Sequence, residues 1–401
     1  MSDMPYAIRH VLRATCHKLS PVPRATRIFV WAAAVLLTSS LWYETSGQNV
    51  NTVALLPFEN VSGSVDSVRI IMPMIEQLVR ERGYQTVSQD KIESFLSRNR
   101  IRNTGMMSRG QLTALRREFG VELALLGSVD LFYESADNPQ WGISSRIVST
   151  SEGNVLWAES IGRTGGDYTK MLGLGTITSG RELAREVVQI LFQNLPPSGN
   201  SFAVPQEQKN TNFSFFGPGG LYCNPLSDTL FRLFRPRGGY RSPALDSAPR
   251  WRVAVTIFEN VSERRGAGRI LADVFTTALF HHGRFQIVDP GEANEALIAL
   301  GRTPYGGMDI ATLRDFKKRT GIDAVFMGTV YRYNEGLKRE ATTSPDIALD
   351  ITMLDADSGK ILWFAVGERS GEDCQIALDF GIIRSMVPLI RKAVGEMLET
   401  L

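Results

Sequence analysis

Cysteine and histidine are scarce in this chain. Its 401 residues include three Cys and four His. Cys16, Cys223 and Cys374 are too widely spaced for a metal-ligand motif. His281 and His282 are adjacent, and neighbours on a helix point about 100° apart, so they do not form the i, i+4 pincer of a zinc protease. The expectation there is a solvated helix end and no metal. Net charge is also nearly absent. Lys and Arg number 44 against 42 Asp and Glu, and a balance of +2 gives no field to draw nucleic acid. A phosphate cradle is missing. Gly173-Leu174-Gly175 and Gly217-Pro218-Gly219-Gly220 lack the strand before and the helix after, and no Gly-Lys-Ser/Thr follows. Ser88-Gln89-Asp90-Lys91 has the Ser-x-x-Lys spacing in which one helical turn lets Lys activate Ser. No Ser-Asp-Asn or Lys-Thr-Gly accompanies it, and helix capping accounts for Ser88. The sequence therefore predicts no catalytic residue, no cofactor, no metal and no enzyme.

A long apolar run is missing too. Ile28–Trp42 is the main one, at about 15 residues against the roughly 20 of a comfortable transmembrane helix. It follows Arg9, Arg13, Lys18, Arg24 and Arg27, set against a single Asp3. A basic region before a short apolar run fits a secretory signal or an uncleaved signal-anchor, with the rest of the chain exported. Residues 1–48 are assigned to it. No cysteine follows, so there is no site for lipid attachment. Outside the cytoplasm Cys223 and Cys374 could pair or remain thiols.

What the chain does contain, it contains twice. Val53–Ser62 reads Val-Ala-Leu-Leu-Pro-Phe-Glu-Asn-Val-Ser, and Val253–Ser262 reads Val-Ala-Val-Thr-Ile-Phe-Glu-Asn-Val-Ser. Seven of these ten positions are identical. Gly83–Val87 returns near Gly283–Val288, Gly120–Val129 returns as Gly321–Val330, and Glu152–Trp157 is answered by Ser358–Trp363. Order, spacing and residue type are kept together, which marks a duplicated domain.

Each copy reads β-α-β-α-α-β-β-β-α. In the first, Val68, Ile71, Ile75, Leu78 and Val79 share a helical face. Gly83 suits the end of that helix, and Pro73 must lie in its first turn or kink it. Ser108 and Gln111 make a capping box. Asp289-Pro290 starts a helix with Pro at its first position. Ile347, Leu349, Ile351 and Met353 alternate with Ala348, Asp350 and Thr352, as in a half-buried strand. Trp157 and Trp363 read as half-buried, and the last helix runs from about Asp373 to the end. The fold class is α/β (α+β), as two tandem repeats, each a mixed sheet packed with helices. The boundaries are 49–196 for the first domain, 197–250 for a Pro-, Gly- and aromatic-rich linker, and 251–401 for the second.

Phe258–Ser262, Gly321–Val330 and Leu354–Trp363, with their first-copy counterparts, resemble the TolB amino-terminal-like domain. Its relatives include the curli secretion channel (CsgG) family, the flagellar outer-membrane protein FlgO and lipoprotein activators of penicillin-binding proteins. The resemblance covers most of both repeats and leaves out leader and linker. It implies a non-enzymatic envelope protein in the periplasm or at the outer membrane. Its implied role is scaffold or accessory factor in assembly or secretion of a surface structure. Implied partners are envelope or secretion proteins, with self-association open, membrane contact through the N-terminal segment if it is retained, and no nucleic acid. Two departures stand out. Gly127–Gly153 and Gly328–Gly359 leave no room for the long membrane-crossing strands of a secretion channel, and the lipid-attachment cysteine is absent.

The sharpest polar candidates are Glu59, Asn60, Glu259 and Asn260, at the carboxyl ends of first strands, where open α/β sheets bind ligands. Turn formation explains them as well, so a periplasmic ligand-binding module is the alternative function. Phe215, Phe216 and Phe234 make the linker a candidate interface, since aromatic anchors dominate interfaces.

Overall fold

The computed structural model describes residues 52–169, 175–202, 238–248, 250–303, 305, 307–336, 344–375 and 381–401. The leader, with Ile28–Trp42, and the linker residues Phe215, Phe216 and Phe234 lie outside the described residues. Among the described residues, no helix is long and apolar enough to cross a membrane.

The first repeat runs β1 (Thr52–Leu55), β2 (Glu59–Asn60), α1 (Val65–Glu81), β3 (Gln85–Thr86), α2 (Gln89–Arg98), α3 (Arg109–Phe119), β4 (Leu123–Tyr133), β5 (Gln140–Ser149), β6 (Val155–Thr164) and α4 (Gly180–Phe192). A short strand β7 (Gly239–Arg241) then precedes the second. That repeat runs β8 (Trp251–Val255), β9 (Glu259–Asn260), α5 (Ala267–His282), β10 (Phe285–Val288), α6 (Pro290–Ala299), α7 (Ile310–Thr320), β11 (Ala324–Asn334), β12 (Asp346–Asp355), β13 (Ile361–Ser370) and α8 (Met386–Leu398). The sheets are β3-β1-β4-β5-β6 and β10-β8-β11-β12-β13-β7, with β2 and β9 alongside β4 and β11. Both are mixed. The first strands pair in parallel with their neighbours, and the later hairpins are antiparallel.

The duplication holds down to single hydrogen bonds. Glu59 pairs with Ser128, and Glu259 with Thr329. The Ser149 N–H donates to the Asn154 carbonyl at 3.0 Å, and Asp355 to Lys360 at 2.9 Å. Both tight hairpins need a left-handed residue, supplied by Gly153 (φ 71°) and Gly359 (φ 69°). Trp157 lies opposite Ile147 beside a register shift, and Trp363 opposite Met353 beside another.

Local chemistry sets most element ends. Ser108 and Gln111 form the expected capping box. Asp289 caps α6 with Pro290 at its first position. Ser88 begins α2, but its side chain makes no capping bond. Helix α1 continues through Pro73, which lies in its interior rather than in its first turn. The last helix begins at Met386. The stretch near Asp373 is instead a 3-10 turn, Gly371–Cys374, closed by Ser370 and Asp373. The stretch before β8 also joins the sheet. β7 pairs with β13, and Leu245 is fully buried.

Helices α1 and α4 pack on one face of the first sheet, around Ile71, Ile75, Leu183 and Val187. Helices α2 and α3 cover part of the other face, over Ala54, Leu56, Ala124 and Val148. Helices α5 and α8 line the second sheet, and α6 and α7 lie behind it. Trp157 stacks on Phe192 and Trp363 meets Phe326 edge-on. Both are buried, not half-buried. Full burial of such a side chain is worth roughly 1.5–3 kcal/mol or more.

One packing relation makes the two repeats a single body. Helices α5 and α8 of the second repeat also cover β5 and β6 of the first. They are held between the two sheets, which is why α5 is buried on almost every side. Val155 and Ala158 of β6 belong to the same apolar cluster as Leu271, Phe275 and Ile390.

Candidate functional site: a buried polar joint between the repeats

The turns singled out in the sequence have parallel geometry. Asn60 donates its side-chain amide to the Ser64 carbonyl at 2.6 Å, and Asn260 donates to Arg264 at 2.8 Å. Ser62 and Ser262 hydroxyls donate to the same asparagines at 2.8 and 2.6 Å. These are Asx-type turns that lead each chain into its helix. The two glutamates differ. Glu59 meets Arg269 of α5 at 3.1 Å, whereas Glu259 is exposed.

Glu59 is the rim of a larger constellation. On the face of the first sheet under α5, a row of paired residues runs Glu59, Ser128, Ser144, Ser160. The next row along β5 holds Arg146. Helix α5 presents Arg269, Asp273 and Thr277 at four-residue spacing, so all three project from one side onto these rows. Arg146, 3% exposed, donates to Asp289 at 2.5 Å, to Asp273 at 3.1 Å and to the Gly105 carbonyl at 2.7 Å. Arg269 donates to Asp273 at 2.8 Å and to that same Gly105 carbonyl at 2.7 Å. Asp289 uses its other oxygen to accept from the Gly291 N–H at 2.8 Å. Thr277 and Ser160 hydroxyls meet at 2.8 Å. Farther along, Glu159 pairs with Arg391 at 2.9 Å and His281 at 3.2 Å, and Arg391 donates to the Ser160 carbonyl. His281 is thus part of the joint, not a solvated helix end.

The electrostatics follow from this crowding. Burial opposes the charge on Arg146, but Asp289 and Asp273 outweigh it and hold the guanidinium protonated. Asp130, fully buried, accepts from Ser128 and Ser144 at 2.6 Å each. Burial and then the neighbouring Asp273 push its carboxyl up to about 7, against the pull of those hydroxyls. Burial also works to raise Glu159, yet Arg391 and His281 prevail and hold it below its usual range. A buried ion pair is only break-even against good apolar packing. Breaking one half leaves a stranded charge and costs far more. The arrangement therefore makes the two repeats dependent on each other.

Sequence reasoning missed Arg146, Asp273, Asp130 and Asp289 as a group. Each sits in an ordinary polar slot of a strand or helix, and their meeting depends on how the repeats dock. One signal was present: Arg146 and Asp273 have no charged counterparts in the other copy, where Thr352 and Pro73 stand.

Among the described residues, clefts open on the surface at two places of note. One, of about 570 Å³, lies between α3 and α6–α7 and is lined by Arg109, Arg117, Glu292, Glu295 and Arg319. The other, of about 640 Å³, runs along β7 and β13 past Tyr240, Trp251, Lys360 and Phe364. Ser88 and Lys91 lie exposed, and no cluster of His, Cys, Asp and Glu suited to a metal occurs among the described residues.

No family model matches the chain, and no curated protein matches it. Several solved structures are similar to it. The lipoprotein GNA1162 from Neisseria meningitidis shares 19% identity at a TM-score of 0.26, over 28% of this chain and 81% of that one. A PelC dodecamer from Paraburkholderia phytofirmans shares 17% at 0.28, over 41% and 96%. The LpoB C-terminal domain from Salmonella enterica shares 14% at 0.23, over 36% and 93%.

Proposed function

We propose that this protein is an exported, non-enzymatic scaffold or accessory factor in the assembly or secretion of a bacterial surface structure. In this reading it is built from two fused domains of the TolB amino-terminal and CsgG kind. The observation that carries the reading is the use made of its buried ionic groups. Arg146, Asp273, Asp289, Arg269 and Glu59 are engaged with one another across the joint between repeats. They fix a rigid block, and what the block offers outward is surface. Export is supported by the basic residues Arg9 to Arg27 ahead of the short apolar run Ile28–Trp42, the pattern of a secretory signal or signal-anchor. The implied partners are envelope proteins, and contact surfaces rather than bond chemistry do the work.

The test is a photo-reactive residue placed at Tyr133 or Ile298, two exposed positions far apart in the chain, in intact cells that make the protein. Envelope-assembly proteins should be captured, and removing the gene should impair a surface structure. Capture confined to cytoplasmic proteins, with the cell surface unchanged, would refute the reading.

A further inference from the structure

The joint between repeats is not symmetric. Helices of the second repeat sit on the sheet of the first, so the contact joins two unlike surfaces. Each surface has a duplicate elsewhere on the molecule. The helical surface made by α5 and α8 is repeated as α1 and α4. The sheet face made by β4, β5 and β6 is repeated as β11, β12 and β13. The helical duplicate is exposed, and the sheet duplicate is half-buried, with Tyr331, Val366 and Tyr240 exposed on it.

Residue correspondence makes this concrete. From Val53 to Gly83 the copies align without a gap at an offset of 200. Arg269, Asp273 and Thr277, which read the first sheet, correspond to Arg69, Pro73 and Gln77, and all three of these are exposed along α1. Arg391 of α8 corresponds to Arg185 of α4, also exposed. The covered row Glu59, Ser128, Ser144, Ser160 corresponds to Glu259, Thr329, Asp350, Val366, in the same pairing. Val366 is 45% exposed. The next row, Met327, Thr352, Phe364 and Tyr240, ends in an aromatic that is 52% exposed. Tyr331 stands where Asp130 is buried in the first repeat, and is itself exposed.

We propose that copies of this chain associate head to tail, with α1 and α4 of one copy seated on the outward face of β11–β13 of the next. The occupant is indicated by the molecule itself, since the equivalent face of the first sheet is already covered by the equivalent helices. Charge complementarity supports it. The buried set Arg146, Asp273 and Asp289 is replaced on both sides at once, by Thr352 on the sheet and by Pro73 and Ser88 opposite. A stranded charge would make the contact costly. The carboxylate that remains on this row, Asp350, accepts from the Tyr331 hydroxyl and faces a helical surface that carries the cations Arg69 and Arg185. The pair that persists is the Glu59–Arg269 one, as Glu259 on the sheet and Arg69 on the helix. Val366, Phe364 and Tyr331 then supply the apolar centre that stable interfaces need. A heterologous contact of this kind propagates into a ring or a filament.

Sedimentation of the full chain in mild detergent tests the proposal. Wild type should form oligomers. Val366→Asp, at an exposed position, should weaken association by about tenfold or more while leaving the circular dichroism spectrum of the folded chain unchanged. Glu259→Arg and Arg69→Glu should each weaken it in isolation. An equimolar mixture of those two variants should re-associate, because each then meets the opposite charge on its neighbour. This rescue cannot arise from misfolded chains. A monomeric wild type at high concentration would overturn the proposal. So would oligomers indifferent to all three substitutions, or oligomers that disappear only when residues 203–237 are deleted. Such failure would leave the envelope role intact, since that role is tested by capture in cells.

Discussion

Replacing Arg146 with Met tests whether the two repeats are coupled through their buried charges. Arg146 belongs to β5 of the first repeat, and both of its carboxylates, Asp273 and Asp289, belong to the second. The side chain is 4% exposed and the two carboxylates 1% and 0%. Met keeps most of the volume and removes three charge-assisted hydrogen bonds, two of them to carboxylates. Asp289 retains its bond from Gly291, and Asp273 retains Arg269, so neither is wholly abandoned. Breaking one side of a buried pair costs about 3–5 kcal/mol, and the lower half of that range applies here because these partners remain. Urea unfolding followed by circular dichroism should show this loss and should separate a first-repeat transition from a second. Arg146→Met combined with Asp289→Asn should recover part of the loss, since Asn still caps α6 and carries no charge. A loss below about 1 kcal/mol, with one unchanged cooperative transition, would refute the idea that this network couples the repeats.

Two further outcomes are expected. Asp130 has its carboxyl pushed up to about 7 from an ordinary 3.8, so the folded chain keeps a proton that the unfolded chain releases. Stability should fall as pH rises from about 4 to about 7 and stay low above that, and Asp130→Asn should flatten this slope and melt higher at pH 8. An identical pH profile in melting experiments would show that Asp130 does not titrate in this window. Gly127→Ala would place a methyl 2.3 Å from the Phe58 ring and 2.7 Å from the Ser144 carbonyl, so it should cost roughly 1–3 kcal/mol by chemical denaturation. Gly110→Ala, in a helix with room for the methyl, should be neutral or stabilising, and equal effects at the two positions would count against the close packing of Phe58.

The short strands β2, β7 and β9 are not legible in the residues alone, whereas the repeat, the order of its main elements and most of their ends are. Those features rest on local chemistry. Ser108 with Gln111 closes a helix start, Asp289-Pro290 opens another, and Gly153 and Gly359 are needed where the backbone turns left-handed. Alternation in β12 correctly showed one face inward and one outward. The same kind of pattern in β5 was silent about its fate, because β5 is buried on both faces. Its polar residues, Ser144 and Arg146, lie under α5 of the other repeat. Whether a strand's polar face meets water or a helix depends on a partner more than a hundred residues away. Local periodicity carries no record of that distance. Docking of the repeats makes Arg146 a joint, engages Glu59 while Glu259 stays exposed, and covers one sheet face while its duplicate faces outward. The physical reason is that docking of unlike surfaces uses up one copy of each and leaves the other copy outside.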